Sequence, residues 1–284
     1  MILSVVGAAV LLLALLYYFV PLETFNLLVP KDAGGKLAAK DVAYGEDPRH
    51  KVDVYVPTSG EGPWPTVIFI HGGSWSTGNK DPYAFLGQAL AAQGFVVMLP
   101  NYRLHPQNRY PGFVQDAALV IDWATRHAGE YGGDPKHIYA AGHSAGGYNV
   151  AQAVLDKRYL AELGTDASAI RGLILLSAPL DFLPLDPGTA RDVFGRETDL
   201  PATQPITYVR ADAPPTLLLY GTADTTVKPK NSINTAKAMQ AVGVNATLKA
   251  YAGVSHVGIL LAFAKPLHGI APSLADMVDF IRSH

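Results

Sequence analysis

Gly142-His143-Ser144-Ala145-Gly146-Gly147 sits between a short apolar run, IYAA (138–141), and a segment, YNVAQAVL (148–155), with helical apolar spacing at Val150, Ala151, Val154 and Leu155. A serine hydroxyl is a poor nucleophile unless its backbone context exposes and activates it. The pattern GxSxG supplies that context, because small residues two positions either side of the serine permit a strained strand-to-helix turn that holds the hydroxyl at its apex. A bare match carries little weight in a chain with 27 glycines. The flanking strand-like and helix-like runs are what give it meaning.

The same alternation continues outward. TVIFI (66–70), FVVML (95–99), IYAA (138–141), GLILL (172–176) and TLLLY (216–220) are continuous apolar runs suited to strands covered on both faces, whereas VDVYV (52–56) alternates and suits an antiparallel edge region. Amphipathic stretches fall around residues 82–93, 112–128, 145–157, 231–242 and 271–283. This order predicts an α/β fold, a mostly parallel doubly wound sheet with helices on both faces, forming one catalytic domain over 41–284. Residues 21–40 read as a connector. Residues 182–214 break the rhythm with Pro184, Pro187, Pro201, Pro205 and Pro214, which predicts an insertion that either caps the site or loops over the surface.

Composition excludes several classes of function. With 22 basic and 24 acidic residues, a formal net charge of −2, the chain lacks the basic surface that nucleic acid binding needs. There is no cysteine, hence no disulfide, thiolate metal site or cysteine nucleophile. No HExxH, GxxxxGK or strand-end GxGxxG is present, so the reading includes neither metal nor organic cofactor. Residues 2–20 are 19 uncharged residues ending in Tyr17-Tyr18-Phe19, long enough to span a bilayer and suited at that end to its interface. No basic residue precedes the run and Pro21 follows it without a small-residue cleavage site, so residues 1–20 read as an uncleaved membrane anchor, with a cleaved signal and secretion as the alternative. Lys31, Lys36 and Lys40 follow the run and favour a cytoplasmic domain.

A serine nucleophile needs a base, a group that orients the base, and donors for the oxyanion. Asp224 directly follows TLLLY, and His256 follows the strand-like TLKAY (247–251), so both fall in loops at strand ends. The chain order Ser144, Asp224, His256 is that of α/β-hydrolases and differs from the chymotrypsin and subtilisin orders. Asp181, which also follows a buried run, competes for the orienting role, and His71, His105, His137 and His143 are the other histidines near the site. HGGSW (71–75) follows TVIFI, and its glycines let backbone N–H groups turn inward. Gly72 and Gly73, with the amide of Ala145 at the start of the next helix, are the expected oxyanion donors. Trp75, Tyr102 and Tyr148 are candidates to line a substrate pocket, with aromatic core packing as the alternative. Arg103 reads as a structural ion-pair residue, and Asp116 as a helix-surface or capping residue.

HGGSW, NYRL (101–104), GHSAGG, the strand-GTAD element (221–224) and GVSHVG (253–258), in this order, resemble the esterase/lipase branch of the α/β-hydrolase superfamily, over roughly residues 40–284. The HGGxW and GHSAGG forms are similar to bacterial carboxylesterases of the feruloyl and acetyl-xylan type and to arylformamidases. The chain departs from the hormone-sensitive-lipase pattern, HGGG and GDSAGG, at Ser74 and His143. The resemblance implies hydrolysis of a small-molecule carboxylic ester through an acyl-enzyme. Formamide hydrolysis by the same three residues is one alternative, and an inactive, membrane-tethered binding module is another.

Overall fold

Continuous apolar runs occupy the middle of one eight-stranded sheet, because a strand covered on both faces has no polar side to present. The computed structural model describes residues 21–284, so the apolar run at 2–20 lies outside the described residues. The strands are β1 (Gly35–Ala43), β2 (Lys51–Pro57), β3 (Trp64–Ile70), β4 (Val96–Pro100), β5 (Gly133–His143), β6 (Ile170–Leu176), β7 (Thr216–Gly221) and β8 (Ala246–Tyr251). Their spatial order is β1-β2-β4-β3-β5-β6-β7-β8. The pairs β1/β2 and β2/β4 are antiparallel and the remainder parallel.

The helices are α1 (Pro21–Leu28), α2 (Ala84–Ala91), α3 (Gly112–His127), α4 (Ala145–Leu155), α5 (Arg158–Ala161), α6 (Thr189–Phe194), α7 (Lys230–Ala241), α8 (Gly258–Leu261) and α9 (Ser273–Ser283). Apolar residues of α3, α4 and α7 pack in one core on one side of the sheet. Those of α2, α8 and α9 share a second core with the alternate residues of the strands, and Leu22 and Phe25 of α1 lean on it. The doubly wound reading of the sheet therefore holds. Among the described residues no helix is long and apolar enough to cross a membrane.

One expectation needs correcting. Residues 21–40 are no connector: they form α1 and most of β1, so the folded unit reaches back beyond residue 41. Strand β1 is largely exposed and its register with β2 is interrupted between Leu37 and Ala39 and between Ala39 and Val42, which leaves no two-residue apolar period to read. VDVYV lies between β1 and β4 and is antiparallel to both, within the expected antiparallel edge region, with Asp53 buried. The insertion at 182–214 is packed, not looped out: Phe182 and Phe194 meet Trp75 and Tyr148, and Thr203 and Ala202 accept hydrogen bonds from Tyr148 and Gln152 of α4.

Register is what places the site. Ile70 of β3 is level with Gly142 of β5, and His143 is level with Leu176 of β6, so the loops leaving β3, β5 and β6 start side by side. Gly221 of β7 is level with Tyr251 of β8, which brings the two following loops together at the same edge.

Asp53 also anchors this edge. Its carboxylate accepts the amide of Asp41, a residue at φ 55 in the β1 irregularity, and faces Lys80 Nζ at 2.8 Å. Lys80 is itself 2% exposed and reaches Asp41 at 2.7 Å and Asp81 at 3.0 Å. Replacing Lys80 with Met would leave the Asp53 carboxylate buried without its cation. A loss of about 3 to 5 kcal/mol in urea unfolding is expected for Lys80→Met, with part of it recovered in the double variant Lys80→Met/Asp53→Asn.

Candidate active site

Ser144 ends the central strand β5 and begins helix α4, and it does so in a conformation that side chains rarely adopt, φ 54 and ψ −126. The turn is tight because Gly146 lies against the end of β3: a Cβ there would sit 2.1 Å from the carbonyl oxygen of Ile70. The Ser144 amide is tied to the carbonyl of Leu176 in β6 at 2.9 Å. Held between two neighbouring strands, the hydroxyl is fixed at the start of a helix whose first amides point toward it.

His256 Nε2 lies 2.9 Å from Ser144 Oγ, and His256 Nδ1 lies 2.7 Å from Asp224 Oδ2. The other oxygen of Asp224 accepts the amides of Thr226 at 2.9 Å and Val227 at 2.8 Å. Burial pushes the Asp224 carboxyl upward, but the hydrogen bonds from His256 and the Val227 amide outweigh it and hold the group below its ordinary value. An ionised Asp224 accepts Nδ1–H, so the Nε2 lone pair faces the serine hydroxyl and can take its proton. Asp181 is elsewhere: its carboxylate accepts from Asn234 at 2.6 Å.

The oxyanion side differs from expectation at one residue. The Gly72 amide donates to the hydroxyl of Tyr83 at 3.0 Å and is not free for a substrate. The amides of Gly73, Ser74 and Ala145 have no partner among the described residues. Gly73 has φ 126 and Ser74 φ 51, so the chain folds back at this point and turns successive N–H groups to one side. The Cα of Gly72 lies against Ser144, since a Cβ on it would be 3.1 Å from Ser144 Cβ. Ser74, absent from the expected set, stands where the hormone-sensitive-lipase pattern has its third glycine, and that offset was the available signal.

The three aromatic candidates for a pocket are core residues instead. Trp75 and Tyr148 meet edge-to-face at 5.3 Å within a cluster with Phe113 and Phe194, and Trp75 Nε1 donates to Asn149 of α4 at 3.1 Å. Tyr102 stacks on His71 at 4.5 Å. Both kinds of contact bury the ring faces, which takes these residues out of an open cleft. Asp116 is not on the surface: it is buried between His50 at 3.0 Å and Arg103 at 2.6 Å, so Arg103 does form an ion pair.

His143, beside Ser144, donates from Nε2 to the backbone carbonyl of His256 at 2.9 Å, and the two rings lie 4.7 Å apart. Burial, reinforced by the neighbouring His256, depresses its pKa to about 3. His71 is depressed to about 4, chiefly by burial, although Nδ1–H donates to the Gly72 carbonyl at 2.7 Å. Both rings are neutral scaffolding.

A strained serine between a central parallel strand and a helix, hydrogen-bonded to a histidine and through it to a carboxylate on later strand ends, is the arrangement of α/β-hydrolases of the esterase/lipase class. The chain belongs to the BD-FAE family, whose model matches residues 52–239. A probable isoprenylcysteine alpha-carbonyl methylesterase of Arabidopsis thaliana is 31% identical over 266 residues, covering 85% of this chain and 55% of that protein. The esterase LipC of Mycobacterium tuberculosis is 34% identical over 230 residues, covering 71% of this chain and 55% of LipC. The chain spans only 55% to 62% of the length of the plant methylesterases it matches. Among solved structures, a butyrate-bound esterase of Thermogutta terrifontis is 25% identical with a TM-score of 0.71, covering 89% of this chain and 95% of that one. Esterase B of Lactobacillus rhamnosis superposes with a TM-score of 0.79 over 98% of this chain and 94% of that one, and at 22% identity supports the fold alone.

The two neutral histidines make the fold sensitive to acid. Below the ordinary value of 6.5 the unfolded chain binds protons at His71 and His143 that the folded chain does not, down to about pH 4 and pH 3 respectively. Stability therefore falls as pH drops through this window, by about 1.4 kcal/mol per pH unit for each ring. Urea unfolding at pH 6.5 and 4.5 is expected to show wild type losing roughly 2 kcal/mol more than His143→Gln over that interval.

Proposed function

We propose that the protein is a serine hydrolase that cleaves carboxylic esters of small to medium acids through an acyl-enzyme. The observation that carries this reading is the unbroken hydrogen-bonded line from Ser144 Oγ through His256 to Asp224, beside unengaged backbone amides. His256 Nε2 takes the serine proton as Oγ attacks the ester carbonyl carbon. The amides of Gly73, Ser74 and Ala145 receive the developing oxyanion. His256 returns the proton to the leaving alcohol as the carbon–oxygen bond breaks, and Asp224 stabilises the imidazolium between these steps. Water then enters, His256 removes its proton, and the acyl group leaves as a free acid with Ser144 restored. The names of the relatives, a methylesterase and an esterase, support an ester over an amide as the substrate.

We further propose that residues 1–20 anchor this unit to a membrane, on the support of the 19 uncharged residues at 2–20 and the lysines that follow them. A variant lacking residues 1–20 is expected to move from the membrane to the soluble fraction. Full-length protein recovered in the soluble fraction overturns the anchor.

For the chemistry, a fluorophosphonate probe is expected to label wild type and not Ser144→Ala. Asp224→Asn, which leaves the shape and removes the charge, is expected to lower kcat on p-nitrophenyl acetate by roughly 10⁴-fold. Equal labelling of Ser144→Ala would remove Ser144 as the nucleophile. A strong preference for N-formylkynurenine over every ester would replace ester with formamide hydrolysis.

A further inference from the structure

We infer that Tyr83 is a positioning residue for the oxyanion site: its hydroxyl holds the Gly72 amide and thereby fixes the turn in which the next two amides face the reacting carbonyl. The inference rests on the serine-hydrolase reading above.

Three backbone groups of this turn's first half are engaged, and each bond restrains rotation of a peptide plane. Tyr83 holds the Gly72 N–H at 3.0 Å, on the His71–Gly72 peptide, and His71 Nδ1 holds the Gly72 carbonyl at 2.7 Å, on the Gly72–Gly73 peptide, so the two planes that meet at the Gly72 Cα are each restrained. The Gly73 carbonyl accepts the amides of Ser76 at 3.1 Å and Thr77 at 2.9 Å, and the Thr77 hydroxyl at 3.1 Å. The amides of Gly73, Ser74 and Trp75 have no partner among the described residues. Three consecutive positive φ values, 126, 51 and 60, set these amides in a curve that opens on one side. Gly73 and Ser74 are the pair next to Gly72, whose Cα abuts Ser144.

Nothing but Tyr83 keeps the Gly72 amide out of that curve. Loss of the Tyr83 bond frees the His71–Gly72 plane, and the next plane, which carries the Gly73 amide and pivots on the same Gly72 Cα, is then held only through His71 Nδ1. Tyr83 is well placed to resist this. It is buried, with its ring 6.1 Å from both Phe69 and His71, and burial raises its phenol to about 12, so it stays a neutral acceptor. Its backbone closes the single turn Asp81–Tyr83. Asn26 of α1 braces that turn, donating to the Asp81 carbonyl at 3.2 Å and accepting the Phe85 amide at 3.1 Å. Lys80, fixed by Asp53, precedes it.

A group that aims donors at a transition state affects kcat more than substrate binding. Tyr83→Phe keeps the ring and removes only the acceptor. It is expected to lower kcat on p-nitrophenyl acetate by roughly 10- to 100-fold with KM changed less than twofold, and to slow fluorophosphonate labelling by a similar factor. A phenylboronate inhibitor, whose tetrahedral adduct places an oxygen in the same position, should weaken in parallel. Tyr139→Phe is the matched control, because it deletes another buried hydroxyl, one that donates to the Ile281 carbonyl at 3.0 Å far along the chain. It is expected to lower Tm without changing kcat or the labelling rate.

Wild-type kcat and labelling rate in Tyr83→Phe would overturn the inference, as would losses no larger than those of Tyr139→Phe. If wild type labels with the phosphonate yet cleaves no ester, the ester reading fails, and the labelling rates of the two variants still decide the role of Tyr83. Should Tyr83→Phe not fold, site-specific incorporation of a fluorinated tyrosine at position 83 preserves shape and weakens the acceptor. A graded fall in labelling rate then supports the role, and an unchanged rate overturns it.

Discussion

A serine forced to φ 54 at the end of the central strand is the constraint on which the rest of this molecule depends. Such a backbone costs on the order of 1 to 3 kcal/mol and persists only where its surroundings over-determine it. Here β5 is bonded on both sides, to β3 and β6, the Ser144 amide is fastened to Leu176, and Gly146 is pressed against the end of β3. The sheet thus supplies the rigidity, and the strained turn converts it into a hydroxyl with one available direction. Helix α4, which starts at Ala145, then has its first amide at the place where a negative charge would develop.

The electrostatics of the site depend as much on groups that are withdrawn as on those that are presented. His71 and His143 are buried and neutral, so neither adds a positive charge that would compete with His256 for Asp224. His143 also fastens the backbone of His256 to the nucleophile turn, which makes the spacing between base and nucleophile a property of two loops tied together. Gly72, the first amide after the histidine of HGG, is likewise occupied. A preorganised site needs its donors fixed before the charge appears, and fixing them requires that their neighbours be satisfied elsewhere.

How much could be read from the sequence follows from which signals are local. The buried parallel strands were legible because burial on both faces makes their runs continuously apolar; Ser144 and Asp224 each follow such a run at short range, and His256 follows the half-exposed TLKAY, where the Ser-Asp-His chain order supplied the rest of the signal. Strand β1 was not, because an exposed strand with an interrupted register has no apolar period. Trp75, Tyr102 and Tyr148 carry the same aromatic signature whether they line a cleft or fill a core. For Trp75 and Tyr148 it is decided by the arrival of Phe182 and Phe194 from a proline-rich segment more than thirty residues after Tyr148 in the chain, and for Tyr102 by its stacking on His71. The assignment of Gly72 failed for a related reason: its partner, Tyr83, lies 11 residues on, and nothing in HGGSW indicates that one of its amides is already taken.

Helix α1 gives the boundary of the folded unit a different meaning. Phe25 stands edge-to-face on Phe85 at 5.2 Å, and Asn26 grips the turn that carries Tyr83, so the segment just after residue 20 is joined to the frame of the oxyanion turn through three contacts. The smallest unit able to keep that frame begins at α1 and not at the first recognisable strand. A fragment cut at residue 41, where the readable pattern starts, would retain Ser144, His256 and Asp224 and lose a brace of the turn proposed to receive an oxyanion.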